Sequence, residues 1–253
     1  TLDVANKETL RMAIGRICNE AEDAINKGNS VLIISNRKES KYKAAIPSLL
    51  ATGSVHHHLV NKKLRTQAGL VVECSDAWET HHFATIIGYG ASAIYPYLTY
   101  DTIQNAYNTQ ALNNEQPLDY YFGNFRKGIG KGLLKILSKM GISTLQSYQS
   151  SQIFECIGLG QEVISTCFKG TLSRLDGLNF DDLGKEVVIK HLAGYNKSKH
   201  QLLEAGGYFQ WKQKGEKHLL NPDTIHLLQK STRLNDYELF KKFTGKVHGE
   251  DTD

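Results

Sequence analysis

Five of the ten histidines in this 253-residue chain fall in two short stretches, His56-His57-His58 and His81-His82, and imidazole is the commonest side-chain ligand for a metal ion. A metal site would draw rings three or four apart on one helix, with a carboxylate or thiolate to complete the shell. His56, His58, His81 and His82 are the metal candidates, and Glu79 and Cys74 could complete a set. Three adjacent rings cannot all face one point, however, and the spacing matches no zinc motif. The favoured reading is histidines that hydrogen-bond where two helices meet.

Three further patterns invite a chemical reading. Gly128, Gly130 and Gly132 around Lys131 would cradle a phosphate only if they followed a strand directly and opened a helix. A polar segment precedes them instead, so glycines that let a helix pack closely explain them better. Gly88, Gly90 and Ala93 match GxGxxA in letters, but they follow a helix and precede a strand, which is the wrong order. Ser143, Thr144, Gln146 and Ser147 are the candidates for cofactor contact: Ile142–Leu145 reads as a short covered strand, and ligands of α/β folds gather at the carboxyl ends of strands. Helix capping explains Ser147, Ser150 and Ser151 equally well. No Ser/His/Asp set, paired carboxylates in an apolar pocket or catalytic cysteine can be picked out.

These residues need elements to hold them. Thr9–Ile25 carries Leu10, Ile14, Ile17, Ala21 and Ile25 on one stripe and reads as an amphipathic helix closed by Gly28. Val31–Ile34 reads as a strand buried on both faces, followed by a basic loop at 36–43 and a helix from Pro47 to Asn61. Gly69–Glu73 is a strand, Trp78–Ile87 a helix, Ala91–Tyr95 a strand and Leu98–Gln110 a helix. This alternation predicts right-handed crossovers and a mostly parallel sheet, an α/β fold. The polar, aromatic interval 108–125 reads as a connection. A central helix from Lys127 then places Ile129, Leu133, Ile136, Leu137 and Met140 inward, Lys127, Lys131, Lys135 and Lys139 on a cationic face, and Gly141 at its end. That cationic face is solvated by default, or meets an acidic partner or domain. Beyond it, 158–182 reads as short helices or turns, Tyr208–Trp211 and His218–Leu220 as a small hairpin, and Asn221-Pro222-Asp223 as the start of a helix through Leu228. Tyr237–Phe243 is a last amphipathic segment, so the end of the chain is helix-rich.

Composition narrows the function classes. Forty per cent hydrophobic residues supply a core, and no run approaches the roughly 18 apolar residues of a spanning helix. The expectation is a soluble globular protein of a cytosol-like compartment, with no membrane partner. Cys18, Cys74, Cys156 and Cys167 are scattered without CxxC spacing and read as buried thiols. Net charge is +4 with acidic and basic residues interleaved, so nucleic acid is set aside.

The residues also carry a family likeness. IPSLLATGSVHHHLVNKKLRT (Ile46–Thr66), HHFATIIGYGASAIYPYL (His81–Leu98) and GLLKILSKMGISTLQSYQSSQIFECIGL (Gly132–Leu159) resemble the large subunit of glutamate synthase, and GTLSRLDGL (Gly170–Leu178) and GGYFQWKQKGEKHLLNPDTI (Gly206–Ile225) continue the likeness in order. The resemblance implies that residues 1–113 are the second half of the family's central domain, 114–126 a connection, and 127–253 the opening of its FMN-binding domain. It implies a parent oxidoreductase that makes glutamate from glutamine-derived ammonia and 2-oxoglutarate, with FMN and an iron-sulfur cluster. Neither is expected on this stretch, whose cysteines do not match cluster ligands and whose Thr1 is not the amidotransferase nucleophile. Its partners would be the remaining domains, with ferredoxin or a nicotinamide-dependent small subunit as electron source, and its location cytoplasmic, or plastid for a plant source. The alternative is a stand-alone, non-catalytic scaffold or binding module with the same fold.

Overall fold

The computed structural model describes residues 1–113, 115–151, 153–195 and 206–249. The chain divides into two compact units, Thr1–Asn196 and Lys197–Asp253.

The first unit is built on a three-stranded parallel sheet. Its strands are β2 (Val31–Ser35), β4 (Gly69–Glu73) and β5 (Ala93–Tyr95), in the order β2-β4-β5. The register pairs Leu32 with Leu70 and Ile34 with Val72, and Val72 with Ile94 on the other side. Preceding it, the short strand β1 (Leu2–Asp3) pairs antiparallel with β3 (Lys43–Ala44). Helix α1 (Leu10–Asn26) starts where the Thr9 hydroxyl accepts from the Met12 N–H at 3.3 Å, and it buries Leu10, Ala13, Ile14, Cys18 and Ile25. Helix α2 (Ser48–Asn61) follows the sheet's first strand, α3 (Thr80–Gly88) its second and α4 (Tyr97–Asn108) its third, so the expected α/β alternation is present.

β4 lies in the centre, with Leu70 and Val72 fully buried. Burial of side chains of this size contributes about 2 kcal/mol each. β2 differs from expectation. It is an edge strand, and while Leu32 is buried, Val31 and Ile33 are 59% and 66% exposed. Four consecutive aliphatics suit a doubly covered strand, but here one face is open.

Helix α5 (Leu118–Met140) begins inside the stretch expected as a connection, nine residues before Lys127, because Pro117 leads in and Asp119 lies in the favourable first turn. The link from α4 is correspondingly short. α5 packs through Phe125, Ile129 and Leu133 against a cluster of Val72, Cys74, Phe83 and Ile86, and Gly141 closes it in the left-handed region at φ 69°. No strand follows. Thr144 instead caps the short helix α6 (Leu145–Tyr148), whose first turn takes up the residues expected as a strand end.

Within 158–182, expected to hold only short helices or turns, lies a strand, β7 (Leu172–Leu178), which pairs parallel with β6 (Glu155–Leu159), a strand that starts just ahead of that region; α7 (Gln161–Cys167) links the two and α8 (Phe180–Tyr195) follows. Val163, Cys167, Phe168, Phe180 and Val187 enter the same core as Leu10, Leu50, Val55, Leu59 and Leu70.

In the second unit, helix α9 (Pro222–Leu234) starts on a full capping box and runs past the expected Leu228. The Asn221 side chain accepts from the Asp223 and Thr224 N–H groups, and the Thr224 hydroxyl accepts from Asn221 N–H at 2.9 Å. Helix α10 (Tyr237–Gly249) packs on α9. The expected hairpin at 208–220 is absent. Gly206 and Gly207 at positive φ turn the chain, and Glu216 N–H closes a loop onto Gly206 C=O at 2.8 Å, so turns and bends replace strands.

Candidate functional site

Two clusters gather the chemistry-bearing side chains of the first unit. One lies around His56. Arg65, in the turn that follows α2, extends its guanidinium back toward the helix: Nε donates to His56 Nδ1 at 3.0 Å, while the terminal nitrogens donate to Ala68 C=O at 2.6 Å and Gly90 C=O at 2.7 Å. An arginine can only donate, so Nδ1 carries the lone pair and the ring proton sits on Nε2. Nε2 then donates to the Ser150 hydroxyl at 2.8 Å. Gly90, at φ 113°, is required here because a Cβ would run into the His56 ring. Gln149 adds a bond to Ala91 C=O at 2.6 Å, and Tyr89 hydroxyl meets Thr171 at 2.6 Å while its ring stacks on Phe154. Thus polar contacts tie α2, the α3–β5 turn, residues 149–150 and Thr171 together. Burial, with the His57 ring and the Arg65 charge beside it, pulls the His56 pKa down to about 4. At neutral pH the ring is a neutral connector.

The other histidines do not join it. His58 Nε2 meets Glu22 at 2.8 Å, pairing α2 with α1. His82 accepts from the Trp78 and Glu79 N–H groups at the start of α3, and His81 sits edge-on to Phe154. Interface hydrogen bonding describes His56 and His58, and helix capping His82. Among the described residues no three His, Cys, Asp or Glu side chains group as metal ligands.

The second cluster occupies the carboxyl ends of β2, β4 and β5, where a parallel sheet presents ligand sites. Asn36 donates to Ser75 Oγ at 3.0 Å and accepts from Ser75 N–H at 3.1 Å, bridging the two strand ends. The Ser35 hydroxyl and Arg37 Nε both donate to the Glu73 carboxylate and hold its pKa below the usual range. Arg37 also lies 4.2 Å from the Tyr97 ring centre. Asp76 accepts from Ser48 N–H, at the start of α2, at 2.9 Å. These groups fix the geometry of the loops by bonding each other and the backbone, while Asp76 Oδ1 is buried without a hydrogen-bond partner among the described residues.

A family model described as the glutamate synthase central domain matches residues 1–160. The chain belongs to the glutamate synthase family. It is 42% identical over 243 residues to the glutamate synthase [NADPH] large chain of Bacillus subtilis, a match covering 96% of this chain and 16% of that relative. To the ferredoxin-dependent glutamate synthase of Pyropia yezoensis it is 41% identical over 246 residues, covering 93% and 16%, and to the glutamate synthase [NADH] of Schizosaccharomyces pombe 37% over 244 residues, covering 95% and 12%. The chain therefore spans about a sixth of the length of the first two glutamate synthases.

The cofactors that the family implies can be tested against the side chains of this glutamate synthase segment. An iron-sulfur cluster needs grouped thiolates. Cys18, Cys74 and Cys167 are instead buried, and loss of solvent pushes their pKa values up to about 11, 12 and 12. The four thiols do not fit a cluster. The residues proposed for cofactor contact do not form a cradle either: Thr144 accepts from Ser147 N–H at 3.2 Å and donates to its hydroxyl at 2.9 Å, a helix cap. Gly128, Gly130 and Gly132 lie within α5, their N–H groups in the interior of a helix. Only Gly132 serves a close approach, to Thr80. The four lysines of α5 are exposed, and none makes an ion pair among the described residues. Sequence reasoning missed Arg65, Asn36 and Asp76, because nothing local marks a side chain whose partners lie in other elements.

Proposed function

We propose that this chain is a structural segment of a glutamate synthase large chain, the flavin and iron-sulfur enzyme that makes glutamate from 2-oxoglutarate and glutamine-derived ammonia. It supports the wall of the internal passage through which ammonia reaches the second site. The observation that carries this reading is the match of residues 1–160 to the central-domain family model, together with polar side chains that bond one another rather than an open site. Ammonia released to neutral water is protonated and loses its nucleophilic lone pair, so a wall that keeps its shape serves the chemistry without taking part in it. FMN and the iron-sulfur cluster would be held by other parts of the parent, with electrons from ferredoxin or a nicotinamide-dependent partner. The central-domain match runs on through α5 and β6 to residue 160, which supports a start of the flavin-binding part of the parent beyond that residue rather than at 127 after a seam at 114–126. The compartment is the cytoplasm, or a plastid in a plant.

The test is coupling in the full-length parent. Arg65→Met cuts three bonds of the His56 network while leaving every other domain intact. The expected result is continued glutamine hydrolysis, less glutamate per glutamine consumed, and free ammonia in the medium. Unchanged coupling in a variant whose first unit is measurably loosened would overturn the proposal.

A further inference from the structure

The two edges of the parallel sheet are unequal. β5 is three residues long and ends at Pro96, with the Arg37 guanidinium 5.9 Å from the Tyr95 ring centre, so that edge is short and obstructed. β2 has five residues, VLIIS, with no charge, proline or bulge. Ser30 C=O accepts from Gly69 N–H and Asn36 N–H donates to Glu73 C=O, which fixes the alternation along the strand: Leu32 and Ile34 direct their backbone groups to β4. The N–H and C=O groups of Val31, Ile33 and Ser35 consequently point outward, along the edge that no strand of the described residues occupies. Val31 and Ile33 also expose their side chains. A groove of about 580 Å³ runs beside this edge, walled by Ile17, Ala21 and Ala24 of α1. An open edge of this composition is a template for another strand.

We propose that a strand of the parent polypeptide preceding Thr1 pairs with β2 and fills this groove. The occupant follows from where the chain enters: Thr1 lines the same groove, its C=O held by Arg16 Nη2 at 2.8 Å, and the relatives are about six times longer than the matched stretch. The inference rests on the reading of this chain as a segment of a larger synthase.

Amide exchange followed by mass spectrometry tests it, comparing the 253-residue chain with the full-length parent. The Val31, Ile33 and Ser35 amides are expected to exchange about a hundredfold more slowly in the parent, while those of Leu32 and Ile34 stay protected in both. Ile33→Lys, at a side chain exposed in the 253-residue chain, is expected to leave the fold of that chain unchanged by far-ultraviolet ellipticity and to remove the added protection in the parent. Equal exchange of the three outward amides in chain and parent overturns the proposal. So does a concentration-dependent dimer of the 253-residue chain that Ile33→Lys abolishes while the parent's amides remain open, which would assign the edge to a second copy. Glutamate synthesis by the same parent preparation separates the two readings: activity with open β2 amides sinks the added strand alone, and absence of activity sinks the assignment of function.

Discussion

His56 makes the stability of the first unit depend on pH in a way that can be worked out from its surroundings. Its folded pKa of about 4 lies below the 6.5 of the unfolded chain. Between these values the unfolded chain binds a proton that the folded one refuses, so stability rises with pH through this window and is lost as pH falls. Above pH 7 both states are neutral and the ring contributes nothing to the slope. At pH 5 the unfolded ring is protonated and the folded one is not, which costs about 2 kcal/mol. His57, lowered by its own burial and by Lys169, and the Thr1 amino group, lowered by burial and by Arg16, lean the same way. The depressed carboxylates of Glu8 and Glu73 act only further down, as pH falls through their own ranges. The measurement is urea unfolding by far-ultraviolet ellipticity from pH 7.5 to pH 5, for wild type and His56→Gln. The wild type should lose at least about 2 kcal/mol, and the variant should lose about 2 kcal/mol less over the same interval. Equal slopes in the two proteins would refute the argument, since the His56 proton would then not distinguish folded from unfolded.

Two further outcomes follow from the same contacts. Arg65→Met leaves His56 Nδ1 and two carbonyls without their donor and should lower stability by about 3 kcal/mol, a shift of roughly 1.5 M in the urea midpoint. Arg65→Lys should recover less than half of that, because an ammonium cannot span the three acceptors; full recovery would mean that charge rather than the fork is what matters. Thiol labelling at pH 8 should leave Cys18, Cys74 and Cys167 unreacted in the native chain and reach all four cysteines after unfolding, and rapid native labelling of Cys74 or Cys167 would contradict their burial.

The first half of the fold was legible because its signals are local. Thr9, Gly28, Pro47 and Gly141 punctuate helices whose apolar stripes stand out at helical spacing, and GLVVE reads as a strand on its own composition. β6 and β7 were not legible for a physical reason. Gly158 at φ 73° and register shifts on either side of Ile157 break the period-two pattern, and Gly177 is needed where its strand meets the Gly158 backbone. The exposed Val31 and Ile33 misled in the opposite direction, since a run of four aliphatics implies cover on both faces that the described residues do not supply.

The site shows the same division more sharply. The sequence marked His56 as a residue capable of chemistry, but its role depends on Ser150, 94 positions away, and on a carbonyl at Gly90 that only a glycine can bring so close. Residue type fixes what a side chain is able to do; its partners decide what it does. Here Arg65 takes the Nδ1 lone pair and Ser150 takes the Nε2 proton, so both nitrogens that could bind a metal or move a proton are occupied. The ring that most invited a catalytic reading is for that reason the centre of the contact holding α2, the α3–β5 turn and the 148–151 segment in register.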